Sequence, residues 1–134
     1  MASIKRFEEI ESWQLARELD KKIFSITKQT DFSKDFKLRD QILNSPGSIM
    51  DNIAEGFERG GNKEFNQFLS ISKGSAGELK SQLYRALDRG YIDNSKFEEL
   101  FNEANTVAKK IGGLMGYLSK SDFRGSKYYY QNTN

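Results

Sequence analysis

The chain of 134 residues suits one domain, and its 30% charged and 37% hydrophobic residues support a single core beneath a well-solvated surface. It contains no cysteine and no histidine, which excludes disulfides, thiolate metal sites and imidazole chemistry. The formal net charge of +2 permits an anionic partner without requiring one. We therefore expect no catalytic residues, no cofactor and no metal.

The first half of the chain contains two amphipathic patterns. Apolar residues at helical spacing predict a first helix from about Phe7 to Thr30. The polar stretch 31–35 predicts a loop in which Asp35 is the N-cap of a second helix, from about Phe36 to Arg59. The apolar residues are Leu15, Leu19, Ile23 and Ile26 in the first helix, and Ile42, Ile49, Ile53 and Phe57 in the second.

The second half contains two further patterns, each with apolar residues in alternating steps of four and three, as in a heptad repeat. Gly60-Gly61 predicts a stop, Asn62 a cap for the third helix and Gly90 its end. Ser95 to Glu98 is typical of a capping box for the fourth helix. The repeats are Phe65, Leu69, Ser72, Ala76, Leu79, Leu83 and Ala86, and Phe97, Phe101, Ala104, Ala108, Ile111, Met115 and Leu118.

Four helices of about 24 residues, each about 36 Å long and joined by short loops, predict an antiparallel up-down-up-down four-helix bundle over residues 1–120. The pattern fails from Ser121, so we predict a flexible tail at 121–134. No apolar run approaches the ~20 residues of a membrane span, and the first residues lack a secretory signal. The expected location is the cytoplasm, with no membrane partner.

Glycines inside predicted helices are unfavourable by about 1 kcal/mol each relative to alanine, which indicates a close neighbour. One explanation is close packing of the third helix on the fourth, and the other is a subunit interface. The residues are Gly74, Gly77, Gly112, Gly113 and Gly116.

The third and fourth helices also carry cations beside an aromatic ring, a combination that can contact phosphates and stack on bases. An ordinary solvated helix surface has the same composition, so both interpretations stay open. The candidate nucleic-acid-binding residues are Lys73, Lys80, Tyr84, Arg85, Lys109 and Lys110.

One phrase resembles a known family: Ser48-Ile49 followed by Asn52-Ile53-Ala54-Glu55-Gly56, with Phe68-Leu69, Gly74-Ser75 and Gly90-Tyr91-Ile92 further on. From about Phe7 to Leu118 the chain is similar to the bacterial four-helix-bundle family of 23S rRNA intervening-sequence proteins. The resemblance implies assembly into a ring, commonly a homopentamer. It also implies relatives that assist a reverse transcriptase in diversity-generating retroelements, where a basic surface binds nucleic acid.

The same phrase contains polar residues that must find partners within a bundle, because an unpaired buried polar group costs about 1–3 kcal/mol. We interpret Ser48, Asn52, Glu55 and Gly56 as a structural motif and not as a catalytic site. The candidate partners for Asn52 and Glu55 are Arg39, Gln41 and Arg85.

Two functions therefore remain: a non-enzymatic oligomer associated with RNA, DNA or a nucleic-acid-handling complex, or a protein–protein interaction scaffold without a nucleic-acid role. Apolar residues outside the main repeats favour a homo-oligomer in either case, since one small core cannot use them all. They are Phe24, Phe36, Phe68, Ile71 and Leu87.

Overall fold

The computed structural model describes residues 2–120 and 128–130. Each of the four long helices packs against two of the others, so that together they form an antiparallel square. The predicted all-α, up-down-up-down four-helix bundle is confirmed. The helices are α1 (Glu11–Thr27), a short α2 (Thr30–Lys34), α3 (Phe36–Glu58), α4 (Asn62–Asp88) and α5 (Asn94–Lys120).

Two glycines make the tight turns that bring successive helices together. Gly60 follows α3 with a φ of 83°, and Gly90 follows α4 with a φ of 76°. These left-handed conformations are strained for other residues, so both predicted stops are confirmed.

The core of α4 coincides with its predicted repeat, because all seven residues of that repeat are buried. In α5 the prediction was partly wrong. Leu100, Val107 and Leu114 are buried on this helix, whereas Phe97 and Phe101 are half-buried and lie beside Tyr84 of α4, with ring centroids 4.8 and 5.6 Å away. Apolar residues therefore cover a wide part of the α5 surface: some face the core, and those on one side contact α4.

The first predicted helix is shorter than expected at both ends. Residues Phe7–Glu9 form a separate 3-10 turn, and Ile10 is extended, with φ −76° and ψ 122°. The Phe7 ring then packs edge-on against Trp13, 5.2 Å between centroids. The helix proper runs from Glu11 to Thr27.

The predicted loop at 31–35 was wrong, because Thr30–Lys34 is a helix of five residues. The Gln29 side chain caps it by accepting a hydrogen bond of 2.7 Å from the Phe32 backbone N–H. Phe32 is fully buried and stacks on Tyr91, with centroids 4.7 Å apart. Burial of one aromatic ring therefore overrides the polar composition of the segment.

The predicted helix caps have mixed outcomes. Asp35 caps α3 by accepting from the Leu38 N–H, as predicted. Asn62 is not a cap but the first residue of α4, where its side-chain amide donates to the Leu118 carbonyl, 3.2 Å away. The capping box at Ser95 was also wrong, because α5 begins at Asn94 and Asp93 accepts from the Lys96 N–H at 2.8 Å.

A short two-stranded sheet joins residues near the two ends of the chain, and its Ile4 belongs to the hydrophobic core. Strand β1 (Ala2–Ile4) pairs antiparallel with β2 (Tyr128–Tyr130), with Ala2 opposite Tyr130. The predicted tail, extended or flexible, stays a prediction: residues 128–130 form a paired strand, and 121–127 and 131–134 lie outside the described residues. Within the part of the chain that the structure describes, no helix is long and apolar enough to cross a membrane.

Candidate functional site

Polar side chains join α3 to α4 along the segment that carries the family phrase. The hydroxyl oxygens of Ser48 and Ser75 are 2.8 Å apart. Asn52 donates to the backbone oxygen of Ser48 at 2.8 Å and to its hydroxyl at 3.1 Å. Asn52 therefore fixes the serine that reaches across to α4, and its partner is not one of the three residues that the sequence suggested.

Three more hydrogen bonds extend this connection along both helices. Ser45 donates to Gln82 at 2.8 Å, and Arg85 donates to Gln41 at 2.9 Å. The buried Ser72 hydroxyl donates to the Ile49 carbonyl at 2.9 Å. Between the two helices lies a groove of about 530 Å³, lined by polar residues only: Gln41, Asn44, Ser45, Ser48, Ser75, Glu78, Ser81, Gln82 and Arg85.

The end of the family phrase marks the closest approach of α3 and α4. A Cβ atom on Gly56 would stand 2.7 Å from the Phe68 Cβ and 2.9 Å from the Phe65 Cδ1, distances that real Cβ atoms do not tolerate. Glu55 points away and forms an ion pair of 2.9 Å with Arg59, one turn on. Glu55 is therefore paired within its own helix, because glutamate and arginine four residues apart lie next to each other on a helix. The predicted partners Arg39, Gln41 and Arg85 do not bind it.

The six candidate nucleic-acid-binding residues do not form one surface. Lys80 is hydrogen-bonded to Asn105 across the α4–α5 contact, where Tyr84 also lies. Arg85 lies in the α3–α4 groove, and Lys110 forms an ion pair of 3.1 Å with Glu11 of α1. Lys73 and Lys109 are exposed.

Four of the helical glycines are exposed on α4 and α5, and Gly112 is half-buried next to them; we call the five the glycine face (Gly74, Gly77, Gly112, Gly113 and Gly116). No atom lies within 4 Å of the Cβ position at Gly74, Gly77 or Gly116, and at Gly112 only the Lys73 Nζ does, at 3.9 Å. Gly113 is exposed. Packing within the chain thus does not account for Gly74, Gly77 and Gly116.

A second surface lies between α1 and α3; Phe24 and Phe36 were expected to favour a homo-oligomer, but the cations beside them were not predicted. Phe24 is 52% exposed with the Lys28 Nζ 4.5 Å from its ring centroid, and Phe36 is 63% exposed with the Arg39 guanidinium 4.9 Å from its centroid. Leu43 helps line a groove of about 470 Å³ between the two helices. The available signal was a cation one helical turn after each phenylalanine.

Acidic residues face each other elsewhere on the same pair of helices. Partial burial raises the pKa of Asp20, and the nearby Asp51 carboxylate raises it further. Among the described residues, no three acidic, histidine or cysteine side chains are grouped so that they could hold a metal ion.

Comparison with known proteins identifies the family. A family model described as 23S rRNA-intervening sequence protein matches residues 8–113. A crystal structure of a protein of unknown function from the S23 ribosomal protein family of Bacteroides thetaiotaomicron has the same fold, with a TM-score of 0.72 and 24% identity over 78% of this chain and 97% of that one. No curated protein matches. The chain therefore belongs to the 23S rRNA-intervening sequence protein family.

Proposed function

We propose that this protein is a non-enzymatic homo-oligomeric scaffold whose subunits meet through the glycine face. The observation that carries the proposal is the open space at Gly74, Gly77 and Gly116, where a side chain would meet nothing within 4 Å. Each of these glycines destabilises its helix by about 1 kcal/mol relative to alanine. A neighbouring subunit that approaches the backbone closely would offset that loss.

The composition of the glycine face supports a protein partner. Ile71 is 53% exposed on α4, one turn before Ser75. Tyr84 is 51% exposed near the end of the same helix. Exposed large apolar side chains beside an open backbone are typical of contact surfaces. If the glycine face of one subunit binds a different surface of the next, this head-to-tail contact can close into a ring, and a ring of five is what the family resemblance implies.

Light scattering coupled to size-exclusion chromatography tests the proposal on the full chain. We expect the wild-type mass to be a multiple of 15.4 kDa. Gly77→Leu should reduce the mass to that of one chain without loss of helical circular dichroism, since Gly77 is exposed and a Cβ there would have no atom of its own subunit within 4 Å. The control Ser25→Leu introduces the same side chain at an exposed residue of α1, a helix that packs on α3 and α5 and not on α4, and should remain oligomeric.

Two outcomes would count against the scaffold. A wild-type mass of 15.4 kDa across the micromolar range excludes a stable oligomer. If Gly77→Leu and Gly74→Leu both stay oligomeric, the subunits meet through a different surface.

Association with RNA is a second candidate function. It is supported by the cations that lie over exposed rings between α1 and α3, a combination that suits phosphates and bases together. Binding through phosphates should weaken steeply as salt is added, whereas a largely apolar contact with a protein should not. Fluorescence anisotropy with labelled RNA at two salt concentrations separates these two functions.

A further inference from the structure

We infer that the groove between α1 and α3, lined by Phe24 and Arg39, binds single-stranded nucleic acid together with the Phe36 ring that lies beneath Arg39. Bases stack on the two phenyl rings while the neighbouring cations contact the phosphates. The inference rests on the proposed association with RNA and specifies where and in which form the nucleic acid binds.

Neither phenyl ring belongs to the buried core, and both are exposed to solvent. Among the residues whose side chains the structure describes, Phe36 is the most exposed large apolar one, at 63%, and Phe24 is also more than half exposed. Phe24 lines the groove together with the half-buried Leu43, and Phe36 is linked to the groove through Arg39. Apolar area left in water is unfavourable by about 25 cal/mol per Å², so two such exposed rings indicate a binding surface.

The cations are positioned by the fold and are not freely mobile. Arg39 lines the groove and lies over Phe36, and its guanidinium is held by the Asp40 carboxylate at 3.1 Å and the Ser33 carbonyl at 3.0 Å. Lys28 lines the same groove and lies over Phe24. Each ring therefore has a positive charge beside it and an exposed surface on which a base can stack.

The charge of this region favours a polyanion. Residues 21–43 contain six basic and three acidic side chains, a net charge of +3 in a chain whose total is +2. Two of the acids are paired, Asp35 with Arg89 at 2.7 Å and Asp40 with Arg39. Two of the bases are also paired with acids outside this range, Lys21 with Glu18 and Lys22 with Glu99 and Glu103, so the attraction for a polyanion depends on the remaining lysines. Among the described residues, no carboxylate lies within 4 Å of the ammonium groups of three lysines: Lys28, Lys34 and Lys37.

The geometry favours single strands over duplexes. In an A-form duplex the bases are stacked inside the helix and the deep groove is too narrow for side chains to enter, so rings in a protein groove meet only unpaired bases. The groove volume of about 470 Å³ lies within the usual range for a site that receives a small planar group.

The test uses the full chain and fluorescently labelled oligonucleotides of about 12 nucleotides, within the usual site size. The probes are oligouridine, the DNA oligothymidine and an RNA duplex of equal length. We expect both single strands to bind more tightly than the duplex. The double variant Phe24→Ala/Phe36→Ala should weaken single-strand binding by about tenfold or more, since stacking on each base is lost.

Matched variants locate the site. Tyr84→Ala removes a ring of similar exposure on the other side of the bundle; compared at the same oligomeric mass as the wild type, it should leave affinity unchanged. The triple variant Lys28→Gln/Lys34→Gln/Lys37→Gln should bind less tightly and with a shallower dependence on salt. Circular dichroism should be that of the wild type for all variants, because every changed side chain is exposed.

The outcomes distinguish this inference from the function on which it rests. If the wild type binds no oligonucleotide, the RNA association and this groove are both rejected. If it binds RNA but prefers the duplex, or is weakened by Tyr84→Ala and not by the phenylalanine double variant, the groove is rejected and the RNA association stands. If a polyglutamate peptide binds at the groove and no oligonucleotide does, the occupant is an acidic protein segment and the inference is wrong.

Discussion

Gly56 offers the sharpest test of how α3 and α4 pack. In Gly56→Ala the new Cβ would stand 2.7 Å from the Phe68 Cβ, 2.9 Å from the Phe65 Cδ1 and 3.3 Å from the Phe65 carbonyl oxygen. The first and last of these atoms move only if the backbone of α4 moves. The two helices must therefore separate where the Gly60 turn holds them together.

The magnitude follows from two opposing effects. Alanine is favoured over glycine inside a helix by about 1 kcal/mol. Forcing an extra carbon into a packed contact costs about 1–3 kcal/mol, and contacts below 3 Å belong at the upper end. We expect a net loss of about 1–2 kcal/mol in the free energy of unfolding.

Urea unfolding followed by circular dichroism, at one fixed protein concentration, measures this loss. Gly47→Ala is the matched control, because it makes the same change inside the same helix where no atom lies within 4 Å. That variant should gain about 0.5–1 kcal/mol, the opposite sign. If Gly56→Ala were as stable as the wild type or more so, the close approach of α3 and α4 would be refuted.

Three further predictions concern stability. Leu79→Ala removes a fully buried side chain from α4 and should cost about 2–5 kcal/mol in urea unfolding, whereas a loss below about 0.5 kcal/mol would mean that Leu79 is exposed. Burial and Asp51 raise the pKa of Asp20, so its contribution to stability is present when it is protonated and is lost as pH rises through that pKa. Asp20→Asn should therefore raise Tm at neutral pH. The same variant should have little effect near pH 3, about one unit below the ordinary carboxyl pKa. The Tyr91 hydroxyl, and after it Arg89, lower the pKa of Asp35, so this contact stabilises the fold above the ordinary carboxyl pKa and is lost as pH falls through the lowered one. Tyr91→Phe should therefore lower Tm at neutral pH, and a deficit that did not shrink on acidification would argue against the contact.

Helix periodicity explains why the bundle could be predicted from sequence. The buried positions of α4 recur in steps of three and four from Phe65 to Ala86, and that spacing encodes one face of a helix whatever lies opposite. Gly60 and Gly90 mark the turns because the left-handed backbone suits glycine alone. These features are local, so residues within a few positions of each other determine them.

Contacts between distant residues account for the errors. Helix α2 exists because Phe32 is buried against Tyr91, a partner in the turn after α4 that composition around residue 32 does not reveal. The buried residues of α5 differ from the predicted repeat, because Phe97 and Phe101 lie in the contact with Tyr84 of α4. The sequence did not distinguish the two sets, since all the apolar residues of α5 share the helical period.

The sequence alone thus determined the number, order and approximate limits of the long helices, the turns between them and the family phrase on α3. Only the tertiary structure decided which surface each residue occupies. Three cations illustrate this. Lys80 and Arg85 are near in sequence and Lys110 is alike in chemistry, yet the three lie on different sides of the bundle. Phe24 and Arg39 come from different helices and line one groove. Each residue of a helix turns by about 100°, so a surface is assembled from the rotation and pairing of whole helices, which local sequence does not encode.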